Sequence, residues 1–422
     1  MKTLIYAPEL SGHPQVYCRV IARALLDAGH SVAIACPADP ADWRTRWHML
    51  RPLAGDERVR CIDIRQTTEA PRGALKAEQL LHIQRECAAD ATLFIDADLF
   101  GTEFRRIAAG EAPRLRGRVC AIFARASEWF PGEDAYTGQP APVVKPTLRH
   151  AMGRIKRAIF NRGESPRYFY EHVLIESGIL DALVVKDERI ARRFGEPVRW
   201  MPEIYRIFDA QPEERRGPDW DRHAEPIRRY IERVGPEKVL LYFGEGAWYK
   251  GYDYFLKLAQ MDEGCFALHA GAPERGEKGK PYRYDVITLR QELLRQGRLY
   301  ETSAFIGSGD LMGLVFGKID HFASTHRLTL SSATMLQALE MGKPVLTPGS
   351  GLVGWRTREF KLGATYAYGD MADLAEKWRV FRTGAFDAAA SGIRSFMARF
   401  SRERTERFFV DLITGEKPSS SI

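Results

Sequence analysis

The stretch LSSATMLQALEMGKPVLTPGSG, Leu330 to Gly351, decides how the chain is read. Ser331 and Ser332 open a helical pattern, and either hydroxyl suits an N-cap because it accepts from a free amide of the first turn. Met335, Leu336 and Leu339 recur at helical spacing and give one apolar face. Gly342 stands where a left-handed C-cap is expected. Lys343-Pro344 then turns the chain into the strand Val345-Leu346, which Pro348-Gly349-Ser350-Gly351 ends. Free amides at a helix start beside small hydroxyl residues form an anion site. The same pattern also describes an ordinary capped helix in an α/β domain.

Upstream, Asp320 to Ala323 reads as a strand that runs into Ser324-Thr325-His326-Arg327. An arginine at that strand end suits a phosphate partner or a plain surface loop. Further upstream, Lys238 to Phe243 reads as a strand followed by Gly244-Glu245-Gly246-Ala247-Trp248-Tyr249-Lys250-Gly251. Lys250 is either a point charge for phosphate or a solvated loop lysine.

These two stretches resemble the donor-site signature of GT-B glycosyltransferases, the family-4 type in particular. Gly342, Lys343, Pro344, Val345 and the Gly349/Gly351 loop match it, as do Lys250 and Gly251. The resemblance implies an α/β fold of two Rossmann-like domains facing a central cleft, with a C-terminal helix crossing back to the first domain. It implies transfer of a sugar from a nucleotide-sugar donor to a glycan, lipid-linked or small-molecule acceptor, without metal and with no cofactor beyond the donor. Gly244, Gly246, Lys250, Gly251, Arg327, Thr329, Ser331, Ser332 and Gln337 fall on the donor side. The family's two glutamates, eight positions apart, are replaced by Thr329 and Gln337. Gln337 is expected to face the pocket mouth, where its amide offers a ribose hydroxyl neutral hydrogen bonds. The arginine usual after the first glycine is Glu245. The lost carboxylates keep two other readings open: a nucleotide-sugar epimerase or hydrolase on this fold, and a non-catalytic GT-B binding protein.

The N-terminal part begins strand–loop–helix–strand, with Lys2 to Ala7, Glu9 to Pro14, Val16 to Ala28 and Ser31 to Cys36. A full G-x-G-x-x-G is absent, so the loop carries little dinucleotide signal. His13 in it is either a turn histidine or a cleft residue. Ala91 to Asp96 reads as a buried strand with Asp96 and Asp98 at its C-terminal end, where open α/β sheets bind ligands. Both are candidates for base or positioning roles, and equally for loop caps. After the strand Val119 to Ala124, relatives place a histidine; here Arg125 and Glu128 are the nearest chemical groups. The candidate catalytic residues are therefore His13, Asp96, Asp98 and Glu128.

Lys145 to Gly163 holds six basic and no acidic residues around an apolar period of Leu148, Met152, Ile155 and Ile159. Such a helix suits an anionic membrane surface or packs on its own domain. No nucleic-acid motif accompanies the charge. The expected division is 1–208 for the acceptor domain, 209–236 for a proline-rich connector, 237–390 for the donor domain and 391–415 for the returning helix.

A chain of 422 residues fits two domains, and 45% apolar content is ordinary for a globular protein. The six cysteines show no C-x-x-C spacing, so neither zinc nor a redox pair is indicated. A formal charge of +7 favours anionic partners. The N-terminus runs directly into a strand and no apolar run spans a bilayer, so the expectation is a cytoplasmic protein, attached peripherally at the inner membrane face if the basic stretch binds lipid.

Overall fold

The computed structural model describes residues 1–10, 13–38, 48–64, 75–123, 168–204, 218–272, 284–304, 306, 309–327, 331–384 and 387–416. They form two compact units, residues 400–416 belonging with the N-terminal one.

The first unit is built on β1 (Lys2–Tyr6), α1 (His13–Asp27), β2 (Ser31–Cys36), β3 (Val59–Asp63), α2 (Ala77–Glu86), β4 (Ala91–Phe94), α3 (Gly101–Ala108), β5 (Arg118–Phe123), β6 (Ala182–Val185), α4 (Glu188–Phe194) and β7 (Val198–Trp200). Its strands are apolar runs with few charges, as expected where helices cover both faces of a parallel sheet. All seven pair in parallel in the order β3-β2-β1-β4-β5-β6-β7. The chain steps outward from β1 to β3, then returns to pair β4 with β1, so the order reverses between those two strands. One core cluster joins Ile5, Ile34 and Leu93 to Cys18, Ile21 and Leu25 of α1. Elsewhere in the unit, the rings of Tyr6, Phe94, Phe100 and Phe104 stack in edge and tilted pairs.

The second unit comprises α5 (Pro218–Val234), β8 (Val239–Phe243), α6 (Tyr252–Met261), β9 (Phe266–Ala270), α7 (Tyr284–Arg295), β10 (Leu299–Glu301), α8 (Gly309–Lys318), β11 (Phe322–Ala323), α9 (Ala333–Glu340), β12 (Val345–Pro348), α10 (Gly351–Glu359), β13 (Gly363–Tyr366), α11 (Met371–Thr383) and α12 (Asp387–Met397). Its strands are also parallel, in two three-stranded sheets, β10-β9-β8 and β11-β12-β13. β11 lies beside β8, but its two residues are too few to join the halves in one ladder. Across that seam the order reverses as it does in the first unit. Part of the expected connector, Pro218 to Val234, is a full helix of this unit.

The pattern expected around residue 342 is present: the Ser332 hydroxyl accepts from Met335 N at 3.3 Å, and Gly342 has a left-handed φ of 72°. The single returning helix expected over 391–415 is instead two. α12 ends in a tight turn at Ala398–Phe400, and α13 (Arg402–Thr414) starts anew where Ser401 accepts from Arg404 N at 3.3 Å. α13 completes the first unit's core with Phe409, Leu412 and Ile413. Arg118 Nε donates to the Leu412 carbonyl at 2.7 Å, and the Cys120 thiol does so at 3.5 Å.

Candidate functional site at the strand ends

In open parallel sheets ligands gather outside the C-terminal strand ends, at the point where the strand order reverses. In the second unit that point lies between β8 and β11, so the two loops of interest are Gly244–Gly251 and Ser324–Arg327. They lock together through glycine. Gly251 has a φ of 68°, and a Cβ there would stand 1.8 Å from the Thr325 carbonyl oxygen. The Thr325 hydroxyl donates to the Lys250 carbonyl at 3.3 Å. Gly271, after β9, is packed as tightly: its Cβ would meet the Gly244 oxygen at 1.9 Å.

Lys250 ends the turn Trp248–Lys250, and its ammonium lies 3.1 Å from where a Cβ on Gly244 would sit. Burial lowers its pKa, against the pull of Glu245. His326 is held by a 2.8 Å contact between Nδ1 and the Ser324 hydroxyl. Burial, with help from the Lys250 charge, pushes its imidazole down to about 4. The site thus pairs one partly desolvated cation with one neutral ring at neutral pH. That combination favours an anion while avoiding a second positive charge.

Arg327 is turned toward α6: it pairs with Asp253, lies 3.9 Å over the Tyr254 ring and 5.1 Å over that of Trp248. Gly246 donates its amide to the Ala272 carbonyl at 3.4 Å. Ser331 and Ser332 precede α9 as expected, and Ser332 also contacts the Thr334 hydroxyl at 2.9 Å. Gln337 departs from expectation. It is 2% exposed, its amide nitrogen stands 4.0 Å from the Met312 sulfur on α8, and its Oε1 has no hydrogen-bond partner among the described residues. It sits in the helix packing, because the face of α9 that carries it meets α8. Thr329 lies outside the described residues.

In the first unit the order reverses between β1 and β4, and Asp96 and Asp98 follow β4 directly. Asp96 opens the turn Ala97–Phe100. Burial works against the charge of Lys186, just past β6, but the Tyr17 hydroxyl on α1, the Glu203 carboxylate past β7 and Asp96 together hold its pKa above the ordinary lysine value. Glu203 and Tyr17 are buried. Asp98 instead faces Tyr170, whose hydroxyl is pushed well up by burial and by Asp98 and Asp187. His13 begins α1. Arg125, Glu128 and the basic stretch Lys145 to Gly163 lie outside the described residues. The sequence reading missed Lys186, Glu203 and Tyr17. A lysine and a glutamate just past apolar parallel strands were the available signal.

No family model matches the sequence, and no curated protein resembles it closely enough to count. Solved structures do. HepE from Anabaena, in complex with UDP, aligns with a TM-score of 0.59 at 12% identity, covering 98% of this chain and 100% of that one. WaaG, described as a glycosyltransferase involved in lipopolysaccharide biosynthesis, aligns at 0.55 and 14%, over 98% and 100%. Sucrose-phosphate synthase from Thermosynechococcus elongatus aligns at 0.57 and 13%, over 98% of both chains. Likeness at these identities speaks for architecture, and it runs from end to end of the chain: two parallel α/β units in the GT-B fold.

Proposed function

We propose that the protein transfers a sugar from a nucleotide-sugar donor to a glycan, lipid-linked or small-molecule acceptor. The observation that carries this reading is the Lys250 ammonium over Gly244 at the strand-order reversal of the second unit. A cation there supports a leaving nucleoside diphosphate by charge-assisted hydrogen bonding. The solved structures of HepE hold UDP, UDP and glucose, or UDP-glucose, which favours a uridine nucleotide as the first donor to try. In this reading Lys250 supplies the positive charge and no metal is needed. The start of α9, beside Ser331 and Ser332, adds to the anion site in this reading. In the first unit, Asp96 beside Lys186 is the leading group for receiving the acceptor's proton, with His13, Asp98 and Glu128 behind it.

Turnover of a nucleotide-sugar panel tests the proposal. Product that forms only with acceptor supports transfer. Free sugar without acceptor moves the assignment to hydrolysis, and binding without turnover to a non-catalytic protein. The buried, uncharged Gln337 is the observation that favours the last of these, since it places no carboxylate near the donor.

The basic stretch Lys145 to Gly163 supports a further proposal, attachment at an anionic membrane surface in the cytoplasm. Sedimentation with anionic vesicles at low salt, exceeding that with neutral ones, is the expected result. Equal pelleting would remove it. No helix among the described residues is long and apolar enough to cross a membrane.

A further inference from the structure

We propose that His269 is held as an imidazolium, and that this buried cation positions the Gly244 loop for the donor's phosphates; the second half rests on the donor-site reading above. His269 is the fourth residue of β9 and is fully buried. Its Nδ1 stands 3.2 Å from Oε1 of Glu301, at the end of β10. Its Nε2 stands 3.1 Å from the carbonyl oxygen of Gly244, just past β8. Both partners accept and neither donates. A carbonyl has no proton, and Glu301 is ionised: burial works against its charge, but hydrogen bonds from His269 and Arg290 bring its carboxyl down to about 2.

Three proton placements are available to the ring. With the proton on Nδ1 alone, the Nε2 lone pair faces the carbonyl lone pairs. With the proton on Nε2 alone, the Nδ1 lone pair faces a carboxylate. Only the doubly protonated ring donates to both, and buried polar atoms are rarely left facing like atoms. The groups around the ring agree. Arg290 of α7 forks onto Glu301 at 2.6 and 2.9 Å. The Tyr252 hydroxyl of α6 donates to Glu301 Oε1 at 2.9 Å. The Tyr242 and Tyr252 rings lie 5.3 and 4.9 Å from the imidazole. Glu301 therefore receives a guanidinium, a hydroxyl and the ring together.

The imidazolium ties down the Gly244 carbonyl, which fixes the turn leading to Lys250. The tie is strongest while the ring holds both protons, because a charged donor makes the stronger hydrogen bond. His269 acts through the loop, so it is a positioning residue.

Nitrogen-15 NMR of the full chain labelled at histidine reads the ring directly, with the His269 signal assigned by its loss in His269→Gln. At pH 7 two ring-bound protons are expected, and Glu301→Gln, which removes the carboxylate, is expected to leave one. A single proton in the wild type overturns the imidazolium. Calorimetry with UDP between pH 6 and 8.5 reads the positioning. Lys250 and the ligand phosphate titrate in both proteins, so the difference belongs to His269. Wild-type affinity is expected to exceed that of His269→Gln by about tenfold at pH 6 and to converge with it as pH rises. Parallel profiles overturn the positioning role. If neither protein binds UDP, the donor reading fails on its own account. Hydrogen exchange at residues 244–251 then decides positioning: faster exchange in His269→Gln supports it, and unchanged exchange sinks it.

Discussion

At Lys250 two effects oppose each other. Removing an ammonium from water costs free energy, and the cost is recovered when an anion takes the place of the lost hydration. Replacing the side chain by alanine is therefore expected to weaken nucleoside diphosphate binding by about 1.5–3 kcal/mol while leaving the melting temperature near that of wild type. Titration calorimetry gives the answer, and an unchanged dissociation constant would take Lys250 out of the site. Gln337 calls for the opposite expectation. Its Oε1 is buried with no partner among the described residues, so the amide contributes desolvation cost and little bonding. Gln337→Leu is expected to raise thermal stability or leave it unchanged, with nucleotide affinity within about twofold of wild type. Gln337→Glu buries a charge against Met312 and is expected to lower stability. A large loss of affinity in Gln337→Leu would restore the residue to the donor site.

At the scale of elements, much of the structure was legible because local chemistry dictated it. The Ser332 cap, the Gly342 terminus, the strand Val345–Pro348 and the loop ending in Lys250-Gly251 all follow from near neighbours in sequence. Two of the misses share one physical cause, which is distance along the chain. The burial of Gln337 depends on α8, 25 residues upstream. The His269–Glu301 contact joins strands 32 residues apart. The C-terminal helix looked continuous because Phe396, Phe400, Phe408 and Phe409 recur on both sides of the break. Arg399, resting 4.7 Å over the Phe360 ring, and the Ser401 cap are what divide it. Gly251→Ala gives a direct measure of how firmly the two site loops are joined. The new methyl group meets the Thr325 carbonyl and adopts a disfavoured φ, so a loss of roughly 2 kcal/mol or more in unfolding free energy is expected. Denaturant titration reads it, and a loss below about 0.5 kcal/mol would mean the loops part freely.

For the whole molecule, stability against acid follows from buried groups in the second unit. His321 is 4% exposed and its ring is packed by those of Trp378 and Phe381. Burial first, then Arg382 and Lys343, lower it to about 4. A histidine depressed in this way is neutral when folded and takes a proton more readily when unfolded. Its contribution is present above about pH 6.5 and is lost as pH falls toward 4, an amount of roughly 3 kcal/mol at most. Glu301 acts in the same sense at lower pH, below the ordinary carboxylate range. The midpoint of thermal unfolding is therefore expected to fall steadily between pH 6.5 and 4. His321→Phe, which has no ring proton to gain, is expected to flatten that fall.

The bond from Arg118 to Leu412 spans 294 residues, and α13 fills the last part of the first unit's core. A ribosome emits the chain from its N-terminal end, at about 5–20 residues each second. The first sheet is therefore synthesised roughly 10–40 s before the helix that seals it. Throughout that interval the apolar side of α1 around Cys18, Ile21 and Leu25 has no lid of its own. The nascent protein is in effect a client for holding factors until its final stretch emerges. A stop codon just before Arg402 would make that waiting state permanent. The expected product is an aggregating chain whose second unit still resists protease, and a soluble, protease-resistant first unit would contradict it.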